Sequence, residues 1–327
     1  MAAGPLVVAF ALNAAQRIAA TQCLHGAAPL VCLPDLDDAE REAALRAAGA
    51  VLLWNTKELK PHELTLIGEA KLLQAMTAGV DFLQFSALPA GLPVAGNGGA
   101  YAEPMAEHAL AMALAAAKRL LVEHAALDRR EFNQHTPNRM LDGGVCGIFG
   151  FGGIGVATAR LMRAIGMTVH AINRRGQTDA DVDWIAGVDQ FDTLLAASDV
   201  LLISAPLTRA TRHIFDATAL ARMKPDAILI NLARGELIDE AALFAHLQAT
   251  PTFTACIDAW WVEPVRHGRF AIDHPFTTLP NVIGSPHNSA SVPAWRIIAL
   301  QRAVENCRRA LVGETPWFLV REEEKLA

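Results

Sequence analysis

A run of glycines near the middle of the chain constrains it most. Residues 144–155 read GVCGIFGFGGIG. A short apolar run, Val145-Cys146-Gly147-Ile148-Phe149, passes directly into Gly150-x-Gly152-x-x-Gly155, and an alanine-rich helical pattern follows over 156–165. Strand, tight turn and helix in that order form the pyrophosphate grip of a dinucleotide-binding unit. Gly150 permits the turn. Gly152 carries no Cβ, so the backbone can approach a phosphate there, and Gly155 lets helix and strand pack closely. The helix's free N–H groups, those of Gly153 and Ile154 included, then face the anion. Taken alone the glycines are a weak signal, and the strand–turn–helix context is what gives them weight.

The rest of the chain bounds the possibilities. Its 327 residues suggest two domains, and 52% hydrophobic residues suffice for two cores. A net charge of −6 with basic residues clustered only in pairs leaves no electrostatic footprint for nucleic acid. Five scattered cysteines (Cys23, Cys32, Cys146, Cys256, Cys307) with no CxxC read as reduced core thiols, neither disulfides nor metal ligands. The N-terminal MAAGPLVVAFALNAAQR has some look of a signal sequence but no basic start, and it makes a good first strand. The uncharged stretch 82–102 contains Pro89, Pro93 and repeated glycines, which rule out a membrane helix. These features together predict a cytoplasmic protein.

Apolar runs at 6–12, 29–33, 51–54 and 72–76 predict strands, with helices between them. The helix expected over 35–48 takes Asp35 as N-cap and Gly49 as its stop. Residues 93–99 (PVAGNGG) read as a hinge. Helix formers then run almost unbroken over 102–130, a helix of about 42 Å at 1.5 Å per residue, long enough to suggest a subunit interface and a homodimer. Further strands are expected at 168–173, 199–204, 227–231, 254–257 and 282–283, and a last helix at 292–311. Alternation of this kind predicts an α/β fold with parallel sheets. Each polar or glycine-bearing element sits just past a strand's C-terminal end, the edge at which open α/β sheets bind ligands.

The order Gly150-x-Gly152-x-x-Gly155, Ala205-Pro206-Leu207-Thr208, Asn231-x-x-Arg234-Gly235, Glu263-Pro264 and Ser285-Pro286-His287 resembles the D-isomer-specific 2-hydroxyacid dehydrogenases. Ala106-to-Leu114, AEHALAMAL, is similar to that family's long helix. The resemblance implies two doubly wound domains: a Rossmann cofactor domain at 98–288 inserted into a flavodoxin-like substrate domain at 1–97 and 289–327. Reduction of a 2-keto acid needs a cation for the carboxylate and a proton donor at the carbonyl oxygen. Arg234 offers a planar fork for the first and His287 an imidazole for the second. Glu263 can hydrogen-bond that imidazole and favour its protonated form. The resemblance gives these three residues the same roles. It also implies substrate contacts at Ala78, Gly79 and Val80, through backbone N–H groups, and cofactor contacts at Ala205, Pro206, Thr211, Leu232, Ala233, Asp258 and His287. Asn55, just past the third strand, is a further candidate for the substrate, or a turn residue.

The cofactor's identity should be set at the end of the unit's second strand. NAD-specific relatives place a carboxylate there for the ribose 2′-hydroxyl. This chain has Asn173, Arg174 and Arg175, which would accept a 2′-phosphate, so NADP(H) is expected over NAD(H). Formate dehydrogenases carry glutamine where Glu263 stands and a long N-terminal extension; phosphite dehydrogenases carry lysine where Ala78 stands. What remains is a glyoxylate/hydroxypyruvate reductase-like activity, or, as an alternative from another class, a corepressor-like NAD(P)H sensor with little turnover. Trp260 and Trp261 beside Glu263 could shape the substrate pocket or belong to a core or interface.

Overall fold

The structure, a computed structural model, describes residues 4–325; the outermost residues of the expected domain ranges, 1–3 and 326–327, lie outside it. By compactness the chain divides into two units, one running to Tyr101 and resuming at Val292, the other Ala102–Ser291.

The first unit is built on a parallel sheet of β1 (Leu6–Val8), β2 (Leu30–Cys32), β3 (Ala50–Leu53), β4 (Leu73–Ala75) and β5 (Val94–Ala95), in the order β2-β1-β3-β4-β5. Both faces are covered, so its strands read as continuous apolar runs rather than alternating ones. Leu6, Val8, Ala50 and Leu52 point into a core closed by the Ala14–Leu24 and Trp295–Leu311 helices, while Val7, Val51, Leu53 and Leu73 point into a second core on the opposite face. That alternation is the period-two geometry of a strand buried on both sides.

The second unit holds β6 (Val145–Phe149), β7 (Thr168–Ile172), β8 (Trp184–Ala186), β9 (Val200–Ile203), β10 (Ile228–Asn231), β11 (Thr254–Ile257) and β12 (Val282–Gly284). All pair in parallel, in the order β12-β11-β10-β9-β6-β7-β8. The strand order reverses between β6 and β9, and such a switch point opens a crevice at the strands' carboxyl ends. The expected α/β class, with two doubly wound parallel sheets, is what the chain adopts. Among the described residues, no helix is long and apolar enough to cross a membrane.

Three local expectations fail for identifiable reasons. The helix expected from Asp35 starts three residues later: Asp37 accepts the N–H of Glu40, whose side chain accepts that of Asp37 in return. That reciprocal pair outcompetes Asp35, which instead closes a 3-10 turn with Pro34 and pairs with Arg17 at 2.7 Å. The long helix is two helices, Ala102–Ala117 and Leu120–Asp128, with Arg119 left-handed at φ +53° between them. Tertiary contact causes the break. The Arg139 N–H donates to the Ala117 carbonyl and the Lys118 ammonium to the Arg139 carbonyl, so a later loop caps the first helix. The first helix is therefore about 24 Å long at 1.5 Å per residue, not 42 Å. Finally, the segment expected as a hinge contributes β5, because 94–95 pair with β4 and the tail residue Leu319 bridges Ala95 from the other side.

Candidate functional site

Every candidate residue of the second unit follows a strand's C-terminal end. At β6 the glycine turn behaves as its spacing requires. Gly150 has φ +104°, and a Cβ there would lie 2.6 Å from the Ala205 Cα on the neighbouring β9 loop. The Ser204 hydroxyl, donating to the Gly150 carbonyl at 2.8 Å, ties these two switch-point loops together. A Cβ on Gly155 would sit 2.8 Å from the Gly150 carbonyl oxygen and 3.0 Å from Ile148. At Gly152, by contrast, a Cβ would meet nothing within 4 Å. Gly152 is also the N-cap of the Gly153–Ala164 helix and supplies no side-chain acceptor. The opening turn, with Gly153, Ile154 and Gly155, thus presents uncapped backbone N–H groups beside open space, which fits a pyrophosphate.

Beyond β9, Ala205 is buried and Pro206 exposed. Thr211 donates its hydroxyl to the Pro206 carbonyl and accepts the Thr208 N–H, both at 2.8 Å, closing the turn. Past β7, Asn173 is committed to the backbone: its Oδ1 accepts the Arg175 N–H and its Nδ2 donates to the Gln177 carbonyl, each at 2.9 Å. Arg174 and Arg175 are exposed on the turn so formed.

The buried Asn231 shapes the loop past β10. Its amide donates to the Arg234 carbonyl at 2.8 Å and accepts the Ala233 N–H at 3.0 Å, folding Leu232 inward and leaving Ala233 and Arg234 half-buried. Gly235 then packs directly on the peptide between Trp260 and Trp261, with no room for a Cβ. Glu263, two residues past Trp261, is also buried.

The His287 Nδ1 lies 2.8 Å from both carboxylate oxygens of Glu263. That contact fixes the imidazole's near edge and leaves Nε2 as its outward pole, with 32% of the side chain exposed. The Trp260 N–H donates to the same carboxylate at 2.7 Å. Burial pushes the Glu263 carboxyl up, but the hydrogen bond and charge of His287, the Trp260 N–H and the charge of Arg234 together hold it below the ordinary value of 4.5. Arg234, Glu263 and His287 therefore form one electrostatic cluster.

The family model described as "D-isomer specific 2-hydroxyacid dehydrogenase, NAD binding domain" matches residues 110–289. The chain belongs to that family. It is 38% identical over 169 residues to glyoxylate/hydroxypyruvate reductase B of Enterobacter agglomerans, a match covering 51% of each chain. It is 29% identical over 287 residues to the glyoxylate reductase of Aeropyrum pernix, covering 85% of this chain and 84% of that one. The chain spans about half the length of several curated relatives that it matches, the first of these included. Among solved structures, a D-isomer specific 2-hydroxyacid dehydrogenase from Xanthobacter autotrophicus Py2, in complex with NADPH and MES, superposes with a TM-score of 0.77 at 25% identity, covering 98% of either chain.

The structure gives places to the remaining candidates of this family member and adds His108, which its sequence did not single out. Asp258, singled out as a cofactor contact, is fully buried, and its carboxylate accepts the Ser285 hydroxyl at 2.5 Å and the N–H groups of Asn288 and Ser289 at 3.1 and 3.3 Å. His108 completes that group, its Nε2 lying 3.1 Å from the Ser285 hydroxyl. Only tertiary structure joins His108 to Ser285, 177 residues on. Trp260 and Trp261 are core residues. Their indoles donate to the Ser285 and Ile238 carbonyls at 2.8 Å, and Trp261 stacks on Phe276. In the first unit, Ala78 is exposed, Gly79 half-buried and Val80 buried; among the described residues no backbone acceptor pairs with the N–H of Gly79 or Val80. Asn55 caps a 3-10 turn, its Oδ1 accepting the Lys57 N–H at 3.0 Å.

Because folding lowers the Glu263 carboxyl, its contribution to stability is complete above the unfolded value of about 4.5 and is lost as pH falls through the folded one. The unfolding free energy of the wild type relative to Glu263→Gln, followed by urea titration, should therefore shrink as pH falls below about 4.5. A difference that stays constant on acidification would show that Glu263 is not held ionised by this cluster.

Proposed function

We propose that this chain reduces a small 2-keto acid to the D-2-hydroxy acid, with glyoxylate and hydroxypyruvate as the leading candidates. The His287–Glu263 contact, within the reach of Arg234's charge, is the observation that supports this reading most directly. When bound, the reduced nicotinamide supplies the hydride for C2 of the substrate. Arg234 binds the substrate carboxylate and polarises the keto oxygen. His287 in its imidazolium form donates the proton from Nε2 to that oxygen as it becomes a hydroxyl, while Glu263 accepts the Nδ1–H and orients the ring. The N–H groups of Gly79 and Val80 are proposed as further carboxylate contacts. The names of the relatives support the substrate class, and five free thiols are in keeping with a cytosolic enzyme.

Turnover of a keto-acid panel with NADPH tests the reading. His287→Ala should lose roughly two to four orders of magnitude in turnover while still binding NADPH. A fully active variant would rule out the proposed proton donor.

For the cofactor we infer NADP(H). Asn173 spends its side chain on the turn, none of the three residues directly past β7 is a carboxylate, and Arg174 and Arg175 are exposed there, a pair of guanidinium groups suited to a 2′-phosphate. Replacing both arginines with alanine should raise KM for NADPH on the order of tenfold and leave KM for NADH nearly unchanged. A wild-type enzyme that prefers NADH defeats the assignment.

A homodimer is proposed through the region of the broken helix. Leu120, Leu121 and Leu127 of the Leu120–Asp128 helix are exposed, as are Phe132 and Met140 after it, an unusual concentration of apolar surface for a monomer. Sedimentation equilibrium should give a dimer that Leu121→Glu with Leu127→Glu converts to monomer; a monomeric wild type is the contrary result.

A further inference from the structure

We propose that Arg266 is a positioning residue for substrate binding, which it serves by matching the buried carboxylate of Glu236 and so keeping it from competing for Arg234. The inference rests on the reading of Arg234 as the substrate-carboxylate group. Glu236 lies two residues past Arg234, in the 3-10 turn Gly235–Leu237 that Arg234 caps. It is buried, and both its oxygens are taken by one fork: Arg266 Nη1 at 2.9 Å and Nη2 at 2.7 Å. The two side chains are only 13% and 12% exposed, so neither charge can be left to water.

Arg266 belongs to the four-residue helix Pro264–His267, whose N-cap is Glu263. The next residue along, His267, accepts the Glu263 N–H on Nδ1 at 3.0 Å. This one turn of helix thus reaches the Arg234 loop through Arg266 and the Glu263–His287 pair through His267. The contact of Gly235 with the Trp260–Trp261 peptide, which admits no Cβ, holds the same two loops together at their backbones. The backbone contact holds the two loops together, and the buried bidentate pair lies beside it. A bidentate match also neutralises a carboxylate that would otherwise stand beside the substrate's own. A substrate carboxylate and an unmatched Glu236 carboxylate are the same ligand to a guanidinium, and the one tethered two residues away has the higher effective concentration.

Arg266→Met, Arg266→Lys and the double variant Glu236→Gln/Arg266→Met test this, with glyoxylate and NADPH as probes. Arg266→Met is expected to raise KM for glyoxylate on the order of tenfold with kcat and KM for NADPH little changed, the signature of lost substrate binding rather than lost chemistry. The neutral double variant should recover most of that KM, because the competing carboxylate is gone. Arg266→Lys, which keeps the charge but not the fork, should fall between wild type and Arg266→Met. A double variant as impaired as Arg266→Met would mean a merely structural role and overturn the proposal, as would wild-type KM in the single variants. If Arg266→Met does not fold, a wild-type KM in Arg266→Lys has the same overturning force. Arg234→Met separates the two levels. Its retaining full activity removes the reading of Arg234 itself, whereas its inactivity beside unaffected Arg266 variants removes only the role of Arg266.

Discussion

Parallel pairing is the constraint on which the rest of the second unit depends. When all seven strands run the same way, their C-terminal ends share one edge, and loops far apart in sequence emerge there together. The glycine turn after β6 and the loops after β9, β10, β11 and β12 meet at that edge for this reason alone. The chain needs no long-range recognition between Gly150, Arg234 and His287 to gather them. It needs seven apolar segments that pair in parallel and crossovers that obey the usual handedness. At the reversal of strand order between β6 and β9 the two adjacent loops touch at Gly150 and Ala205, while at Gly152 a Cβ would meet nothing within 4 Å.

A second requirement acts on the loops themselves. Three carboxylates, Asp258, Glu263 and Glu236, are buried behind this edge, and a buried carboxylate left unmatched would cost several kcal/mol. Each meets the requirement differently. Asp258 takes a hydroxyl and two backbone N–H groups, Glu263 an imidazole and a backbone N–H, Glu236 a guanidinium fork. In each case a partner comes from a different loop, so satisfying the charge also fixes the distance between loops. The polar network does the structural work that apolar packing does in the sheet below it.

This division explains which parts of the molecule could be read from the sequence. Strands buried on both faces are runs of Val, Ile and Leu, and most were legible to within a residue or two. The catalytic candidates were legible because residues past a strand end carry their chemistry openly: a glycine triplet, an arginine after Asn231, a histidine after Pro286. The short strands β5 and β8 were not, since two or three residues hold too little periodicity to register. The helix break at Arg119 was invisible for a different cause. Local propensity there favours helix, and what overrides it is the Arg139 amide capping Ala117 from another loop. The same holds for Arg266 and Glu236, thirty residues apart, and for His108 and Ser285. Where a residue's partner is chosen by tertiary structure, its own neighbours in sequence say nothing about it.

The backbone at His287 shows what these partners accomplish. Its φ is +50°, a left-handed conformation that a residue with a Cβ adopts only when its surroundings impose it, at a cost of about 1–3 kcal/mol. Contacts on either side of the residue hold it there. Before it, the Ser285 hydroxyl is bound to Asp258 and the Ser285 carbonyl to the Trp260 indole; after it, the N–H groups of Asn288 and Ser289 turn back onto the same Asp258 carboxylate. Asp258 itself is tied to the sheet: it is the first residue past β11, and its N–H donates to the Asn231 carbonyl at 3.0 Å. The strained turn is thereby referred to the sheet, and it points the imidazole at Glu263. The strain at His287 and the burial of Glu263 thus belong to a single arrangement, joined at the 2.8 Å contact between them.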